Sequence, residues 1–275
     1  MNNPKQIVFS GGGLRCFWQG GFMTVMDETN PLKPQRVTGV SGGALAGSAW
    51  LAGCEQKLLD TMCDVFETKG SNVDLFHNGD KGITPHQSLY CEVVEQVLDA
   101  EAQAKVADGP AFQILIAHPP ERPSARMTGA AMTVAYEAEL HIVGSPHFNW
   151  AEKFGLSARL IDANAAARDG KLAELVCGAA VIPPVFEPAE WDGRSVIDAG
   201  MADQAPMPDP DDGDTLVLLT RRYKSLPDVD GRRYVMPSDE TPADKIDFTD
   251  GQKLRDTWAQ GESDARRFLD HEGHA

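Results

Sequence analysis

Two glycine-rich stretches near the start of the chain, Gly11-Gly12-Gly13-Leu14-Arg15 and Gly39-Val40-Ser41-Gly42-Gly43, decide how this sequence folds. The second reads G-x-S-x-G, in which small flanking residues let the chain turn sharply from a strand into a helix and leave the serine hydroxyl accessible. Arg36–Thr38 before it is typical of a strand, and Ala44–Gly53 after it is typical of a helix of small residues. We therefore expect Ser41 to be a nucleophile.

The first stretch supplies what a serine nucleophile needs next, a set of hydrogen-bond donors for the negative charge that develops on a carbonyl oxygen. Lys5–Ser10 has the composition of a short buried strand, so the glycines fall at its carboxyl end, where α/β proteins bind ligands. Glycine lets backbone amides approach such an oxygen closely. The donors that we expect to form this oxyanion hole are Gly11, Gly12, Gly13 and Gly42.

Activation of the serine requires a base, and the strongest candidate is Asp198. It follows Arg194–Ile197, a run with the composition of a strand, and the small residues Ala199 and Gly200 come directly after it. A carboxylate in that position can reach an elbow serine without an intervening histidine. Taken alone, however, an Asp-Ala-Gly sequence more often marks an aspartate that caps the next turn.

Together these features resemble the patatin-like phospholipase family: Gly-Gly-Gly-x-Arg after a first strand, a serine elbow soon afterwards, and Asp-x-Gly far downstream. Val176–Pro188 is similar to the segment that leads to the aspartate strand of that family. Cys16 and Ala199 stand where the family usually has glycine, and Gln204 stands where it usually has asparagine. Alanine at position 199 is tolerated if φ is negative there, whereas the bulk of Cys16 narrows the space behind the glycine loop.

The resemblance implies an α/β fold with three layers (α/β/α), a mainly parallel central sheet, and a Ser41–Asp198 dyad. Such a dyad hydrolyses fatty acyl esters without a metal ion, a cofactor or a histidine: Ser41 attacks, and Asp198 acts first as base and then as acid. The implied substrate is a lipid or other acyl ester, with phospholipid, lysophospholipid, neutral glyceride and acyl thioester all left open. The residues expected to support the site are Arg15, Gly39, Gly43 and Gly200.

Composition favours one enzyme domain over residues 1–275, because 42% of the residues are hydrophobic and no repeat or linker divides the chain. A net charge of −16 opposes binding to nucleic acid, so we expect no nucleic-acid partner and only transient membrane contact through an apolar patch. The oligomeric state stays open. The chain starts without a secretory leader, and its five cysteines form no C-x-x-C pair, which predicts a cytoplasmic location.

Further segments have recognisable patterns. Phe112–Ala117 and Leu216–Thr220 are typical of buried strands, and Thr249–Leu269 is typical of a terminal helix. A helix predicted over Arg126–Leu140 either covers an acyl-binding cleft or packs against the sheet. The acidic run Asp209–Asp214 lacks the ligand pattern of a calcium loop, and we interpret it as a solvated turn.

The sequence supports other functions less well than the dyad. A Ser-Asp-His triad needs a late histidine, but only His271 and His274 follow Asp198, both in a polar tail. A nucleotide-binding loop needs G-x-G-x-x-G or a closing Gly-Lys-Ser/Thr, and neither is present. A non-catalytic or partner-activated lipid-binding relative, an acyltransferase and a thioesterase remain alternatives to the hydrolase.

Overall fold

A computed structural model describes residues 3–69, 85–119, 144–147, 156–182, 189–245 and 248–272. The strands are β1 (Gln6–Phe9), β2 (Arg36–Val40), β3 (Ala111–His118), β4 (Ser157–Asp162), β5 (Ala189–Trp191), β6 (Arg194–Asp198), β7 (Thr215–Leu218) and β8 (Arg232–Val235). The helices are α1 (Phe17–Thr29), α2 (Gly42–Ala52), α3 (Glu55–Lys69), α4 (Pro85–Val97), α5 (Ala100–Asp108), α6 (Ala163–Arg168), α7 (Leu172–Ala179) and α8 (Gly251–Glu272).

The chain has a mixed α/β fold with a central, mostly parallel sheet flanked by helices, as the sequence predicts. Strands β3, β2, β1, β7 and β8 lie side by side in that order, and every neighbouring pair among them is parallel. Strands β4 and β6 pair with β3 in the antiparallel sense, and β5 pairs with β6. The carboxyl ends of the parallel strands therefore meet at one edge of the sheet.

Strand β3 determines how β2 and β6 meet. Residues 113–118 of β3 pair with β4, so β4 occupies one side of β3, and β2 and β6 must share the other. β2 runs along that side until Val40 lies opposite Leu115, and β6 approaches from the opposite direction until Asp198 lies opposite Ile116. The ends of β2 and β6 therefore face each other along one side of a single strand.

Strand β1 shows why the sheet is buried on both faces. Its four residues, Gln6–Phe9, are all buried, as is typical of a central parallel strand. Ile7 and Phe9 belong to the largest hydrophobic cluster, which takes side chains from every described helix. Val8 points to the opposite face, where it packs with Val217 and Leu219 of the neighbouring strand and the loop after it.

Most of the predicted elements are confirmed within a few residues, including the first strand, the elbow with its helix, the aspartate strand and the terminal helix. The helix begins at Gly42, two positions earlier than predicted. β8 was not predicted and lies in a region without a clear sequence pattern. The helix predicted over 126–140 lies outside the described residues.

Gln19 in α1 joins the edge of the sheet to the loop that follows β1. Its Nε2 donates to the carbonyl oxygens of Ser10, at 3.0 Å, and Leu218, at 2.8 Å, and the side chain is fully buried. Both acceptors lie at the carboxyl edge of the sheet, so this one amide fixes the spacing between the ends of β1 and β7.

Replacing Gln19 by methionine, which has a similar volume, should lower the free energy of unfolding by about 1–3 kcal/mol, because two buried carbonyl oxygens lose a donor. Urea unfolding measures the change. The matched control is Gln56→Met at an exposed position of α3, where we expect a change within about 0.5 kcal/mol. Equal effects of the two substitutions would contradict this role of Gln19.

Candidate active site

Ser41 lies at the turn between β2 and α2. Its backbone has φ 55° and ψ −134°, a conformation that a residue with a side chain adopts at a cost of roughly 1–3 kcal/mol. The turn also brings Gly43 so close to β1 that a Cβ atom there would collide with the carbonyl oxygens of Phe9 and Ser10. The G-x-S-x-G pattern is therefore required by backbone geometry, as the sequence predicts.

Ser41 and Asp198 are brought into direct contact, although 157 positions separate them in the chain. The Ser41 hydroxyl donates to Oδ2 of Asp198 at 2.6 Å, and each residue is only 2% exposed. The other carboxylate oxygen, Oδ1, accepts the Gly200 amide at 2.7 Å. Asp198 thus caps the turn that follows it and also contacts the serine, and its role as a base remains a prediction.

The protein environment of Asp198 disfavours its charged form. Burial raises the pKa of the carboxyl above its ordinary value, and this effect outweighs three that lower it: the positive charge of Lys245, the hydrogen bond from Ser41 and the amide of Gly200. A carboxylate whose pKa is raised is a stronger base than an ordinary aspartate. The site can therefore accept a proton from the serine once Asp198 is ionised.

The glycine loop, residues 11–13, lies beside Ser41, but its three amides differ in what they contact. The Gly11 amide donates to the Gln204 carbonyl oxygen at 2.8 Å, and the Gly11 carbonyl accepts the Thr220 hydroxyl at 2.6 Å. Gly11 is therefore held in place by hydrogen bonds of its own. This corrects our expectation that its amide is an oxyanion donor, because the amide is already occupied.

Gly12, Gly13 and Gly42 remain as candidate donors. Within the described part of the chain, their amides are not among the backbone donors that bond to a carbonyl oxygen. Gly13 has φ 59°, which a residue with a side chain rarely adopts. Gly42 is the first residue of α2, so its amide also lies at the positive end of the helix dipole.

Arg15 lies beside the loop and pairs with an acidic side chain. Its Nη2 atom contacts Asp244 Oδ1 at 3.1 Å, and the Arg15 side chain is 26% exposed. The neighbouring amide, of Leu14, donates to the Lys245 carbonyl oxygen at 3.2 Å. Arg15 therefore lies at the expected position beside the glycine loop. Its side chain contacts Asp244, in the segment before α8.

The three departures from the expected family pattern have structural explanations. Ala199 begins a short 3-10 helix, Ala199–Met201, and is not among the residues with positive φ, so its methyl group is tolerated. Gln204 donates from Nε2 to the Gly200 carbonyl oxygen at 2.7 Å, which fixes the turn after Asp198. The Cys16 thiol donates to the Ser10 carbonyl oxygen at 3.5 Å and lies against Gly42, where it narrows the space beside the elbow.

A narrow apolar cavity starts at Ser41 and follows one face of α2. Its volume is about 760 Å³, part of which is open to solvent. The α2 side of the wall is formed by residues at helical spacing: Gly42, Leu45, Ala46 and Ala49. From Gly42 to Ala49 this wall is roughly 10 Å long, at 1.5 Å per residue. The cavity has the shape and polarity to hold a hydrocarbon chain.

Two charged side chains line this cavity in the described part of the chain. Lys245 lies near Gly13 and Ser41, and Glu55 lies just beyond the end of α2. Burial raises the pKa of Glu55 to about 7, and the nearby carboxylate of Asp27 adds to the effect. Glu55 is thus partly neutral at neutral pH, which suits a position on an apolar wall.

The described residues do not form a calcium loop in the acidic run or a metal site. The acidic turn contributes to ion pairs, since Asp211 contacts Arg232 at 2.6 Å and Asp212 contacts Arg36 at 3.2 Å. In the described ranges, no three histidine, cysteine or acidic side chains are grouped to hold a metal ion. His271 is exposed near the end of α8, and His274 lies outside the described residues. No helix in those ranges is both long and apolar enough to cross a membrane.

The sequence of the chain matches a family of known proteins. The family model of patatin-like phospholipases matches residues 7–210, which include the glycine loop, the elbow and the aspartate strand. The chain belongs to the patatin-like phospholipase family. Among solved structures, VipD from Legionella pneumophila is 11% identical, with a TM-score of 0.44 over 98% of this chain and 67% of VipD. No curated protein matches the chain in sequence.

Three residues of this patatin-like phospholipase that shape the site were not predicted. Thr220 and Gln19 fix the carbonyl oxygens of the glycine loop and of Ser10, and Lys245 lines the cavity from outside the region that matches the family model. Thr220 and Gln19 are polar residues in otherwise buried segments, and that is a usable signal for a structural hydrogen bond. Lys245 has no distinguishing signal in the sequence.

The raised pKa of Asp198 predicts a pH-dependent effect of Asp198→Asn on stability. A carboxyl whose pKa is higher in the folded state stabilises the fold fully below its unfolded pKa, about 3.9, and this contribution is lost as pH rises through the folded pKa. Asparagine does not ionise. The stability of the variant relative to the wild type should therefore increase as pH rises from 4 to 8.

Thermal unfolding of the wild type and Asp198→Asn across that pH range measures the effect. We expect the gap between their midpoints to favour the variant increasingly as pH rises. A gap that does not change with pH, or that increasingly favours the wild type as pH rises, would contradict a raised pKa for Asp198.

Proposed function

We propose that the protein is a serine hydrolase that cleaves fatty acyl esters of lipids, with Ser41 as nucleophile and Asp198 as base. The observation that carries the proposal is the 2.6 Å hydrogen bond from the Ser41 hydroxyl to Asp198 Oδ2 beside an apolar cavity. Membership of the patatin-like phospholipase family supports a lipid substrate. A cytoplasmic location remains a prediction. The net charge of −16 still favours only transient contact with a lipid assembly.

In the first half of the proposed reaction, Ser41 Oγ attacks the carbonyl carbon of the ester as its proton moves to Asp198 Oδ2. The carbonyl oxygen becomes an oxyanion, which the amides of Gly12, Gly13 and Gly42 stabilise. Collapse of this tetrahedral intermediate breaks the bond to the alcohol. The leaving oxygen takes the proton from Asp198, and the acyl group stays on Ser41.

In the second half, water attacks the acyl-serine and transfers a proton to Asp198. The second tetrahedral intermediate uses the same amides, and its collapse returns the proton from Asp198 to Ser41 Oγ as the fatty acid leaves. The cavity beside α2 holds the acyl chain throughout. Discrimination among acyl esters then depends on how much of the chain this narrow space accepts.

Hydrolysis of p-nitrophenyl esters from acetyl to palmitoyl, combined with labelling by a fluorophosphonate, tests the proposal. Ser41→Ala should abolish labelling and lower kcat/KM at least about a thousandfold, because the nucleophile is removed. Asp198→Asn should lower it about 100- to 10,000-fold, which is the range of general base catalysis. Activity should rise with chain length until the chain fills the cavity.

The matched control is Ser48→Ala, which removes another hydroxyl of α2. Ser48 Oγ donates to the Ala44 carbonyl oxygen at 2.7 Å and does not line the cavity, so we expect near wild-type activity. Labelling without turnover would favour a partner-activated relative, and turnover of a thioester or transfer to an alcohol would favour the thioesterase or acyltransferase. Absence of labelling at Ser41 in the wild type would contradict the proposal.

A further inference from the structure

Residues 243–245, which we term the strap, cross over the glycine loop just before α8. The Ala243 amide donates to the hydroxyl of Thr257 in α8 at 2.8 Å, and both residues are buried. The Lys245 carbonyl oxygen accepts the Leu14 amide, and Asp244 pairs with Arg15. The strap is thus fixed at three points, to α8 and to the turn that follows the glycine loop.

These anchors place the Lys245 side chain beside the site. Lys245 lines the same cavity as Ser41, Gly13 and Gly42. Its Cγ atom lies so near to Gly13 that a Cβ atom on that glycine would be 3.1 Å from it. In the described part of the chain, no other basic side chain lines the cavity. A positive charge is therefore held next to the loop, in the cavity lined by Ser41, whose hydroxyl contacts the buried carboxylate.

Two other titratable groups near Asp198, Cys16 and Tyr90, are uncharged near neutral pH. Burial raises the pKa of the Cys16 thiol and, even more clearly, that of the Tyr90 phenol, so both are neutral near pH 7. On the neighbouring strand β3, His118 Nδ1 contacts the carbonyl oxygen of Ser195 at 2.9 Å. Lys245 is the charged group that lowers the pKa of Asp198, against the larger effect of burial.

A buried carboxylate without a nearby positive charge is costly, and it protonates instead of remaining ionised. Protonated Asp198 could not take the serine proton. Arg15, the basic residue beside the glycine loop, is paired with Asp244 and is not among the groups that act on Asp198. Its ion pair instead holds the strap, and the next residue of the strap carries the charge to the site.

We propose that Lys245 is a positioning residue of the site: held by the strap, its ammonium group keeps the buried Asp198 carboxylate ionised so that it can accept the Ser41 proton. The inference rests on the proposed function for its consequence in catalysis. The electrostatic relation between Lys245 and Asp198 can be measured without any substrate.

The direct test is titration of Asp198 by carbon NMR of protein labelled at the aspartate carboxyl carbon, with Asp198→Asn used to assign the signal. In Lys245→Met, the midpoint should rise by about one pH unit or more, because an opposite charge nearby has been removed. Lys245→Arg should restore most of the wild-type midpoint. An unchanged midpoint in Lys245→Met overturns the inference.

The rate of fluorophosphonate labelling of Ser41 between pH 5 and pH 9 gives the catalytic consequence. Ionised Asp198 is the reactive form, so the rise of the labelling rate with pH (the acid limb) should move to higher pH in Lys245→Met by the same amount as the NMR midpoint. In Lys245→Arg the acid limb should stay near that of the wild type. The matched control is Lys224→Met, which removes one exposed positive charge and should leave the limb unchanged. A lower plateau without a shifted limb would indicate a structural role and overturn the inference.

The two proposals fail in different ways. If wild-type Ser41 does not label while the NMR midpoint moves in Lys245→Met, the hydrolase proposal fails and the electrostatic role of Lys245 is supported. If Ser41 labels normally and the midpoint does not move in Lys245→Met, the hydrolase proposal is supported and the electrostatic role of Lys245 fails. Thermal unfolding of each Lys245 variant verifies that it is folded under the conditions of the titration.

Discussion

The site depends on the way β2 and β6 end opposite each other along one side of β3. Because β4 occupies the other side of β3, the two strands approach from opposite directions, and their last residues bring Ser41 and Asp198 within 2.6 Å. The contact is therefore produced by strand register, which is strongly specified wherever a face of the sheet is buried. A slip of one residue in either strand would turn one of the two side chains to the other face.

This arrangement has an energetic cost, which the surrounding residues reduce. Ser41 has an unfavourable backbone conformation, and Asp198 is buried with a raised pKa. Gly200 and Ser41 each donate a hydrogen bond to the carboxylate, and the strap provides a nearby positive charge. Strain and buried charge of this kind persist in folded proteins where the neighbouring structure determines them and function requires them.

The parts of the site that were predictable are those that local chain geometry imposes. G-x-S-x-G is required because the chain passes β1 so closely at Gly43, and the apolar run that ends at Asp198 has the pattern of a buried strand. The prediction for Gly11 was wrong because the occupant of its amide, the Gln204 carbonyl oxygen, is distant in sequence. Lys245 was missed for the same reason, since its place beside the glycine loop depends on anchors from α8 and from the turn after β1. Long-range contacts leave no periodic pattern in the sequence.

The most direct test of the account is a crystal structure of the protein after reaction with a long-chain alkyl fluorophosphonate, whose tetrahedral phosphorus imitates the intermediate of ester hydrolysis. The account predicts phosphorus bonded to Ser41 Oγ, the phosphoryl oxygen about 2.7–3.1 Å from amides of Gly12, Gly13 or Gly42, and the alkyl chain in the cavity along α2. An adduct on another residue, or a phosphoryl oxygen directed away from the glycine loop with the cavity empty, would contradict it.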